Sequence, residues 1–247
     1  MERPVALITG GAKRVGRAIT HALARAGCDV VVTYRTSRDE ARTIAGEASP
    51  ASVRLIELDL ADLDAVERAG GELASSLGRL DILVHNASIY GPRPIAEMDA
   101  GHLLEMYRVN AAAPLLLTKR LAPLLERSSL PGGGSIVAMC DMHAMGRPRR
   151  HMAAYSMSKA ALVEMVRTLA RELAPRVRVN GVAPGVVAFP DSGFESDPQM
   201  QQAYLSRVPL GRSGTPDDAA EAVRWLAMDA HYVTGEIVRV DGGRWLS

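Results

Sequence analysis

The chain has 247 residues, of which 47% are apolar, and its formal net charge is +1. The length and the apolar content are ordinary for one α/β domain with a substantial core. The near-neutral charge provides no broad field for nucleic acid or for an anionic membrane surface, so we expect neither as a partner.

Strand-like and helix-like segments alternate along the chain. Short apolar, β-branched runs predict strands at residues 5–9, 29–34, 53–58, 81–85, 134–140, 177–183 and 237–240. Longer helical patterns cover residues 14–26, 39–48, 62–77, 101–126 and 153–173, and Pro114 and Pro123 predict bends or breaks in the fourth of them. This alternation predicts an α/β fold with a doubly wound, mostly parallel, seven-stranded sheet covered by helices on both faces.

One stretch interrupts this alternation. Residues 187–209 contain Pro190, Ser192, Gly193 and Pro198, and we expect them to form a substrate flap over the ligand site. No linker, repeat or low-complexity tract divides the chain, so residues 1–247 are predicted to form a single domain.

Cysteine usage and hydropathy bear on the compartment. Cys28 and Cys140 lie in separate apolar stretches without metal-like spacing, which predicts free buried thiols and no metal site. No apolar leader opens the sequence, and no uninterrupted apolar run reaches membrane-spanning length. We therefore expect a cytoplasmic protein.

The first predicted strand leads into a glycine-rich turn, Thr9-Gly10-Gly11-Ala12-Lys13-Arg14-Val15-Gly16. Such a turn lets the backbone approach a pyrophosphate at the N-terminus of the following helix. Plain connectors can also be glycine-rich, but the position after a first strand favours ligand binding. The candidate cofactor-binding residues here are Gly10, Arg14, Val15 and Gly16.

The end of the second predicted strand indicates which dinucleotide binds. An NAD site needs a carboxylate near this point to accept from the ribose 2′-hydroxyl, and the nearest acid is Asp39. Arg35 and Ser37 can instead converge on a 2′-phosphate, with Tyr34 beside them. We therefore predict NADPH as the cofactor, with an ordinary surface arginine as the alternative for Arg35.

Polar residues also follow the third and fourth predicted strands. Asp59 and Leu60 lie where a side-chain acceptor can reach the adenine amino group. Asn86, Ala87 and Ser88 follow the fourth strand, at the carboxyl edge where such sheets bind ligands. A turn-forming role is the alternative for Asn86.

Tyr155 and Lys159 are the candidate proton-transfer pair. Their four-residue spacing places both side chains on one face of a helix. An ammonium beside a phenol favours the phenolate, so we expect Lys159 to lower the pKa of Tyr155 toward working pH. A tyrosine tuned in this way can exchange a proton with a reacting centre.

These motifs together resemble the short-chain dehydrogenase/reductase family over essentially the whole chain. The resemblance implies a Rossmann-like fold, hydride transfer from a nicotinamide cofactor, a proton relay through Asn110, Tyr155 and Lys159, and a homotetramer. In that relay, Lys159 holds the nicotinamide ribose and Asn110 supports a water chain to it. The matching residues are the turn 9–16, Asn86-Ala87, Asn110, Tyr155-x-x-x-Lys159, Arg178-Val179-Asn180, the cofactor-binding pair Pro184-Gly185, Thr234-Gly235 and Val240-Asp241-Gly242-Gly243.

Three departures from the usual family pattern resemble the pteridine reductase subgroup. Arg14 replaces a small residue, Ser88 replaces a glycine, and Asp141 replaces the serine that orients a ketone. The resemblance implies a pterin substrate, possible reduction of dihydrofolate, and an acid pair formed by Asp141 and Tyr155. It also implies that Tyr90 stacks on the pterin and that Ser88 and Arg14 bind its edge.

The chemistry of Asp141 supports this interpretation. A carboxylate repels the alkoxide that forms when a ketone is reduced, whereas reduction of a carbon–nitrogen double bond requires a proton on nitrogen. His85 and His143 are interpreted as structural, because the Tyr155–Lys159 pair already supplies the proton transfer. Two alternatives stay open, namely a ketone reductase of the same family and a non-catalytic cofactor-binding sensor.

Overall fold

The structure is a computed structural model, and it describes residues 3–187, 189 and 196–247. The strands in these residues are β1 (Val5–Ile8), β2 (Asp29–Tyr34), β3 (Val53–Glu57), β4 (Ile82–His85), β5 (Gly134–Met139), β6 (Val177–Pro184) and β7 (Ile237–Val240). These seven strands form one parallel sheet in the order β3-β2-β1-β4-β5-β6-β7. This arrangement confirms the predicted fold class.

Helices cover both faces of the sheet. They are α1 (Arg14–Arg25), α2 (Arg38–Glu47), α3 (Leu63–Ser76), α4 (Ala100–Tyr107), α5 (Ala113–Leu125), α6 (Ala153–Glu172), α7 (Pro198–Leu205) and α8 (Pro216–Met228). Because side chains alternate along a strand, Leu7 packs in the cluster that holds α3, α5 and α6, while Ala6 and Ile8 pack in the cluster that holds α1 and α8.

The order of the strands locates the ligand crevice. The chain builds β1, β2 and β3 toward one edge and then returns to place β4 against the other side of β1. Ligands bind outside the carboxyl ends of the strands at such a switch point, which here lies between β1 and β4. Among the described residues, no helix is long and apolar enough to cross a membrane.

The long helical segment predicted at 101–126 is divided differently from the prediction. Pro114 lies in the first turn of α5, where its missing N–H is tolerated, and Pro123 lies inside α5 without ending it. The departure from α-helical geometry is instead a π-helical segment, Arg108–Ala112, between α4 and α5. Such segments recur at functional sites, and this one carries Asn110.

Two helices were missing from the sequence prediction. Helix α8 begins with a capping box in which the side chain of Thr215 accepts from the N–H of Asp218 and the side chain of Asp218 accepts from the N–H of Thr215. Helix α7 lies inside the predicted flap at 187–209, which therefore contains regular structure. Residues 188 and 190–195 of that flap lie outside the described residues.

Candidate active site

The glycine-rich turn is held against the end of β4 by hydrogen bonds. Asn86 Nδ2 donates to the carbonyl oxygens of Thr9 and Gly10 at 2.9 and 3.0 Å. Thr9 Oγ1 accepts from the backbone N–H groups of Asn86 and Ala87 at 3.0 and 3.1 Å. Asn86 therefore fixes the turn rather than serving only as a local turn former.

The turn has the close backbone packing that a dinucleotide cradle requires. A Cβ at Gly16 would lie 2.1 Å from the carbonyl oxygen of Gly10, and Gly10 has a φ of +61°. The N-cap residue of α1, Lys13, makes no side-chain capping bond, and the first turn of α1 contains no acid. Its first N–H groups are thus suited to an anionic group, so these residues fit the pyrophosphate of a nicotinamide dinucleotide.

Arg14 adopts an uncommon backbone conformation in this turn. Its φ is +50°, in the left-handed region that non-glycine residues rarely occupy. Such a conformation costs on the order of 1 kcal/mol or more and is characteristic of ligand clamps. The side chain lines the same cavity as Gly10 and Gly16, so Arg14 is placed to face the cofactor.

The cations near the end of β2 differ in their partners. Lys13 pairs with Glu40 at 2.6 Å, and Arg38 pairs with Glu57 at 2.5 Å. Arg35 is exposed and makes no hydrogen bond or ion pair with the described part of the chain. Arg35 can therefore receive a phosphate without breaking an existing contact.

The other predicted cofactor residues in this region are positioned as follows. Ser37 is the N-cap residue of α2 but makes no side-chain capping bond, and Tyr34 beside it is half-buried. Asp59 Oδ1 accepts from the N–H of Ala61 at 2.9 Å, and the side chain of Leu60 is buried.

Strand β5 and helix α6 bring the acid pair together. The hydroxyl of Tyr155 donates to Asp141 Oδ2 at 2.8 Å. Asp141 Oδ1 accepts from the N–H of His143 at 2.7 Å, at the start of a 3₁₀ turn over Met142–Met145. Asp141 is thus fixed by its own turn through one oxygen and bound to the phenol through the other.

The prediction that Lys159 lowers the pKa of Tyr155 is wrong. Burial, the charge of Asp141 and the hydrogen bond to Asp141 raise the pKa of the Tyr155 phenol well above its usual value. Lys159 Nζ donates to the carbonyl oxygen of Met139 at 2.7 Å and lies 6.0 Å from the centroid of the Tyr155 ring. Burial also lowers the pKa of Lys159. Tyr155 is therefore a protonated phenol, which suits a proton donor.

Asn110 connects the loop that follows β4 to α6. Its Nδ2 donates to the carbonyl oxygen of Ile89 and to Ser158 Oγ, both at 3.0 Å. Its Oδ1 accepts from the N–H of Ile89 at 2.9 Å and from Ser88 Oγ at 3.1 Å. These four bonds use the full capacity of the amide, so any water chain toward Lys159 must bind the backbone of Asn110 rather than its side chain.

Ser158 was not identified from the sequence. It is buried one residue before Lys159, accepts from Asn110 Nδ2, and donates to the carbonyl oxygen of Tyr155 at 2.7 Å. The available signal was its position on α6, three residues after Tyr155 and on the same face. Ser158 therefore connects Asn110 to the turn of α6 that carries Tyr155 and Lys159.

One end of the cavity is aromatic, and it is called the substrate end here because the sequence predicts that Tyr90 lies beside the substrate. The ring of Tyr90 contacts the ring of Tyr155 edge-on, with centroids 5.0 Å apart and an interplanar angle of 78°. Ser88 Oγ lies 3.1 Å from Asn110 Oδ1 and 3.3 Å from the carbonyl oxygen of Ile89, so its proton is already engaged. Toward a ligand, Ser88 is thus an acceptor.

One cavity of about 530 Å³ brings most of the predicted residues together. Tyr34, Arg35, Ser37, Asp59, Leu60, Asn110 and Lys159 do not line it, and Arg149, which does, was not predicted as a site residue. The predicted residues that line it are Gly10, Arg14, Val15, Gly16, Asn86, Ala87, Ser88, Tyr90, Asp141, Tyr155, Pro184 and Gly185.

The two nearby histidines are held by structural contacts. His85 Nε2 lies 2.7 Å from Thr118 Oγ1, and burial lowers its pKa to about 3. His143 Nδ1 lies 3.0 Å from the carbonyl oxygen of Arg147, and burial lowers its pKa as well. Both imidazoles are therefore neutral at working pH.

Comparisons with known proteins identify the family. A family model described as enoyl-(acyl carrier protein) reductase matches residues 10–244. A 3-oxoacyl-(acyl carrier protein) reductase of Aquifex aeolicus is 33% identical, over 98% of this chain and 98% of that protein. A structure described as an NAD(P)-dependent gluconate 5-dehydrogenase of Beutenbergia cavernae, with bound NADP, is 35% identical, with a TM-score of 0.91, and covers 99% of this chain and 97% of that chain. A blue fluorescent protein from a metagenomic library, solved with NADPH, is 31% identical, with a TM-score of 0.87, over 98% and 97% of the two chains.

The chain therefore belongs to the short-chain dehydrogenase/reductase family and is an oxidoreductase. This confirms the family resemblance and the Rossmann-like fold. None of the three similar proteins is described as a pteridine reductase. Membership of that subgroup thus depends on the chemistry of the site.

Proposed function

We propose that this protein is an NADPH-dependent pteridine reductase, which reduces a carbon–nitrogen double bond in a dihydropterin and accepts dihydrofolate as a further substrate. The observation that carries the proposal is the 2.8 Å hydrogen bond from the Tyr155 hydroxyl to Asp141. The two side chains line the same cavity as the glycine-rich turn. We propose a homotetramer in the cytoplasm as the working form.

A carboxyl group at this position suits an imine nitrogen. When hydride reaches carbon, the nitrogen gains a proton, and a phenol bound to a carboxyl group can supply one and be reprotonated through it. A ketone oxygen instead develops negative charge, which a carboxylate at the same position opposes. The raised pKa of Tyr155 keeps the phenol protonated until it is needed.

The cofactor end supports NADPH. When bound, NADPH supplies the hydride. The pyrophosphate would bind at the turn containing Gly10 and Gly16, Arg14 would neutralise phosphate charge, and Arg35 would bind the 2′-phosphate. Pro184 and Gly185, at the end of β6, line the cavity on the far side of the switch point.

The remaining site residues orient the acid pair. Lys159 is held by the carbonyl oxygen of Met139 and has two further N–H donors for a ribose hydroxyl. Asn110 and Ser158 fix α6 and the loop that follows β4 relative to each other. Their role is to keep Tyr155 in place while substrate enters.

The substrate would lie beside an aromatic wall. The ring of Tyr90 is about half exposed, so it can offer area to a flat heteroaromatic ring, and offset or edge contacts between such rings are favourable. Ser88 would accept a hydrogen bond from an amino group on the edge of the pterin, with Arg14 beside it.

Reduction of a ketone is the second candidate. The observation in its favour is the similarity to 3-oxoacyl-(acyl carrier protein) reductases at 32–33% identity over almost the whole chain. The residue that opposes it is Asp141. If the protein reduces pterins, replacement of this aspartate by serine should lower its activity. If it reduces ketones, the same replacement should raise its activity.

A direct comparison of substrates tests the proposal. NADPH consumption is measured with dihydrobiopterin, with dihydrofolate and with an acetoacetyl thioester, for the wild type and for Asp141→Ser. We expect kcat/KM for dihydrobiopterin to exceed that for the thioester by about 100-fold or more in the wild type, and the preference to fall in Asp141→Ser. A wild type that prefers the thioester would refute the pterin assignment.

A further inference from the structure

Arg149 occupies a position at the substrate end that the proposed reaction does not yet use. It lies on the segment that joins the 3₁₀ turn Met142–Met145 to helix α6. It is exposed, and it lines the cavity together with Asp141, Tyr155 and Tyr90. Its side chain forms a hydrogen bond with the hydroxyl of Tyr90.

Tyr90 needs a restraint to serve as a pocket wall. About half of its surface is exposed, and a ring in that situation loses rotamer freedom when it is fixed. Two contacts oppose this loss, namely the edge contact with Tyr155 at 5.0 Å and the hydrogen bond to Arg149. The second contact requires a hydroxyl, so phenylalanine at position 90 would lack it.

The charge of Arg149 reaches several groups around the mouth of the cavity. It lowers the pKa values of the phenols of Tyr90, Tyr155 and Tyr204, against the opposite effect of burial, and it adds to burial in lowering the pKa of His143. The guanidinium is therefore central to the substrate end, whereas Lys159 is engaged with the backbone behind Tyr155.

We propose that Arg149 is a positioning residue, which holds the hydroxyl of Tyr90 so that the Tyr90 ring stays edge-on to Tyr155 and leaves a slot for a flat substrate. The inference rests on the proposed function only for the shape of that substrate. The Arg149–Tyr90 bond itself is a property of the free protein.

The first test uses protein without substrate. The phenol of Tyr90 is titrated through the Cζ resonance of isotope-labelled tyrosine, assigned with Tyr90→Phe, in the wild type, Arg149→Met and Arg150→Met. Arg150 is the matched control, because it is an exposed arginine one residue along the chain that does not line the cavity. We expect the midpoint to move to higher pH in Arg149→Met only. An unmoved midpoint, or an equal shift in Arg150→Met, overturns the proposal.

The second test is a double-mutant cycle with the enzyme saturated in NADPH. Tyr90→Phe and Arg149→Met should each raise KM for dihydrobiopterin about fivefold to tenfold, with a smaller change in kcat. The double variant should be no worse than the worse single variant, because both changes remove the same bond. Additive effects on KM overturn the positioning role.

The two tests separate this inference from the proposed function. Failure of the wild type to reduce dihydrobiopterin would refute the pterin assignment, and the cycle would then be run with the acetoacetyl thioester. The titration needs no substrate, so its result depends only on the Arg149–Tyr90 contact. A shifted midpoint with coupled KM effects on either substrate supports the positioning role.

Discussion

Replacement of Asp141 by asparagine tests the central chemical argument most directly. Asparagine keeps the size of the side chain, and its single oxygen can accept from the N–H of His143, so the turn should be preserved. Its amide NH2 group then replaces the oxygen that accepts from Tyr155, and it can only donate to the phenol oxygen. Asparagine cannot supply a proton. Loss of a positioned general acid costs about two to four orders of magnitude in rate.

The structure narrows the loss of rate that we expect for Asp141→Asn. Tyr155 remains hydrogen-bonded in Asp141→Asn and can still donate its own proton once, so we expect a loss of about 100- to 1,000-fold in the rate of dihydropterin reduction. This corresponds to about 3–4 kcal/mol in the activation barrier. Removal of the carboxylate also removes a charge that raises the pKa of Tyr155, so the fall in rate at alkaline pH should begin at lower pH.

The assay is the single-turnover rate at saturating NADPH and dihydrobiopterin, measured across pH, together with the Kd for NADPH. Asp64→Asn is the matched control, since Asp64 is an exposed acid at the start of α3. We expect the Kd for NADPH to be the same in all three proteins. A rate for Asp141→Asn within about threefold of the wild type, or a parallel loss of NADPH affinity, would show that Asp141 is not the acid.

Three further predictions concern the cofactor and the stability of the fold. Arg35→Met should raise the Kd for NADPH by about tenfold or more and leave that for NADH unchanged, because NADPH carries a charged 2′-phosphate where NADH has a neutral hydroxyl. Arg178→Met should lower the free energy of unfolding in urea by about 3 kcal/mol, since the buried guanidinium donates to four backbone carbonyl oxygens, two of them in the last turn of α8 and one just after that helix. Burial raises the pKa of Asp81, but hydrogen bonds led by Arg79 outweigh it and hold the pKa below its usual value. Asp81 therefore stabilises the fold above about pH 4, and this contribution is lost as the pH falls. The free energy of unfolding of Asp81→Asn should be below that of the wild type at neutral pH and should approach it in acid.

The strands of the sheet could be predicted because the sequence pattern that marks each strand is local. Strands buried on both faces are short apolar runs, and each run is bounded by a polar or glycine-rich turn that can be read from the sequence. Helix α8, which the prediction lacked, carries an equally local signal in the Thr215 to Asp218 capping box with Pro216 between them. The sequence therefore contains the information that is needed to predict this helix.

The electrostatics of the site could not be predicted in the same way. Four-residue spacing places the side chains of Tyr155 and Lys159 on one face of the helix, but it does not determine which group the Lys159 ammonium binds. The ammonium binds the carbonyl oxygen of Met139, and the phenol is governed by burial and by Asp141. Likewise, the π-helical segment carries Asn110, whose side chain binds Ser158 across 48 positions of sequence, and no local pattern contains that contact.

The raised pKa of Tyr155 also bears on the direction of catalysis. Oxidation of an alcohol needs a phenolate to accept a proton, and the carboxylate of Asp141 opposes formation of that anion. Reduction needs the protonated phenol, which the same carboxylate favours. A serine at position 141 would not discriminate between the two directions in this way. Under the proposed function, the Asp141–Tyr155 pair would therefore favour reduction, most strongly for substrates whose product is protonated at nitrogen and bears no alkoxide during the reaction.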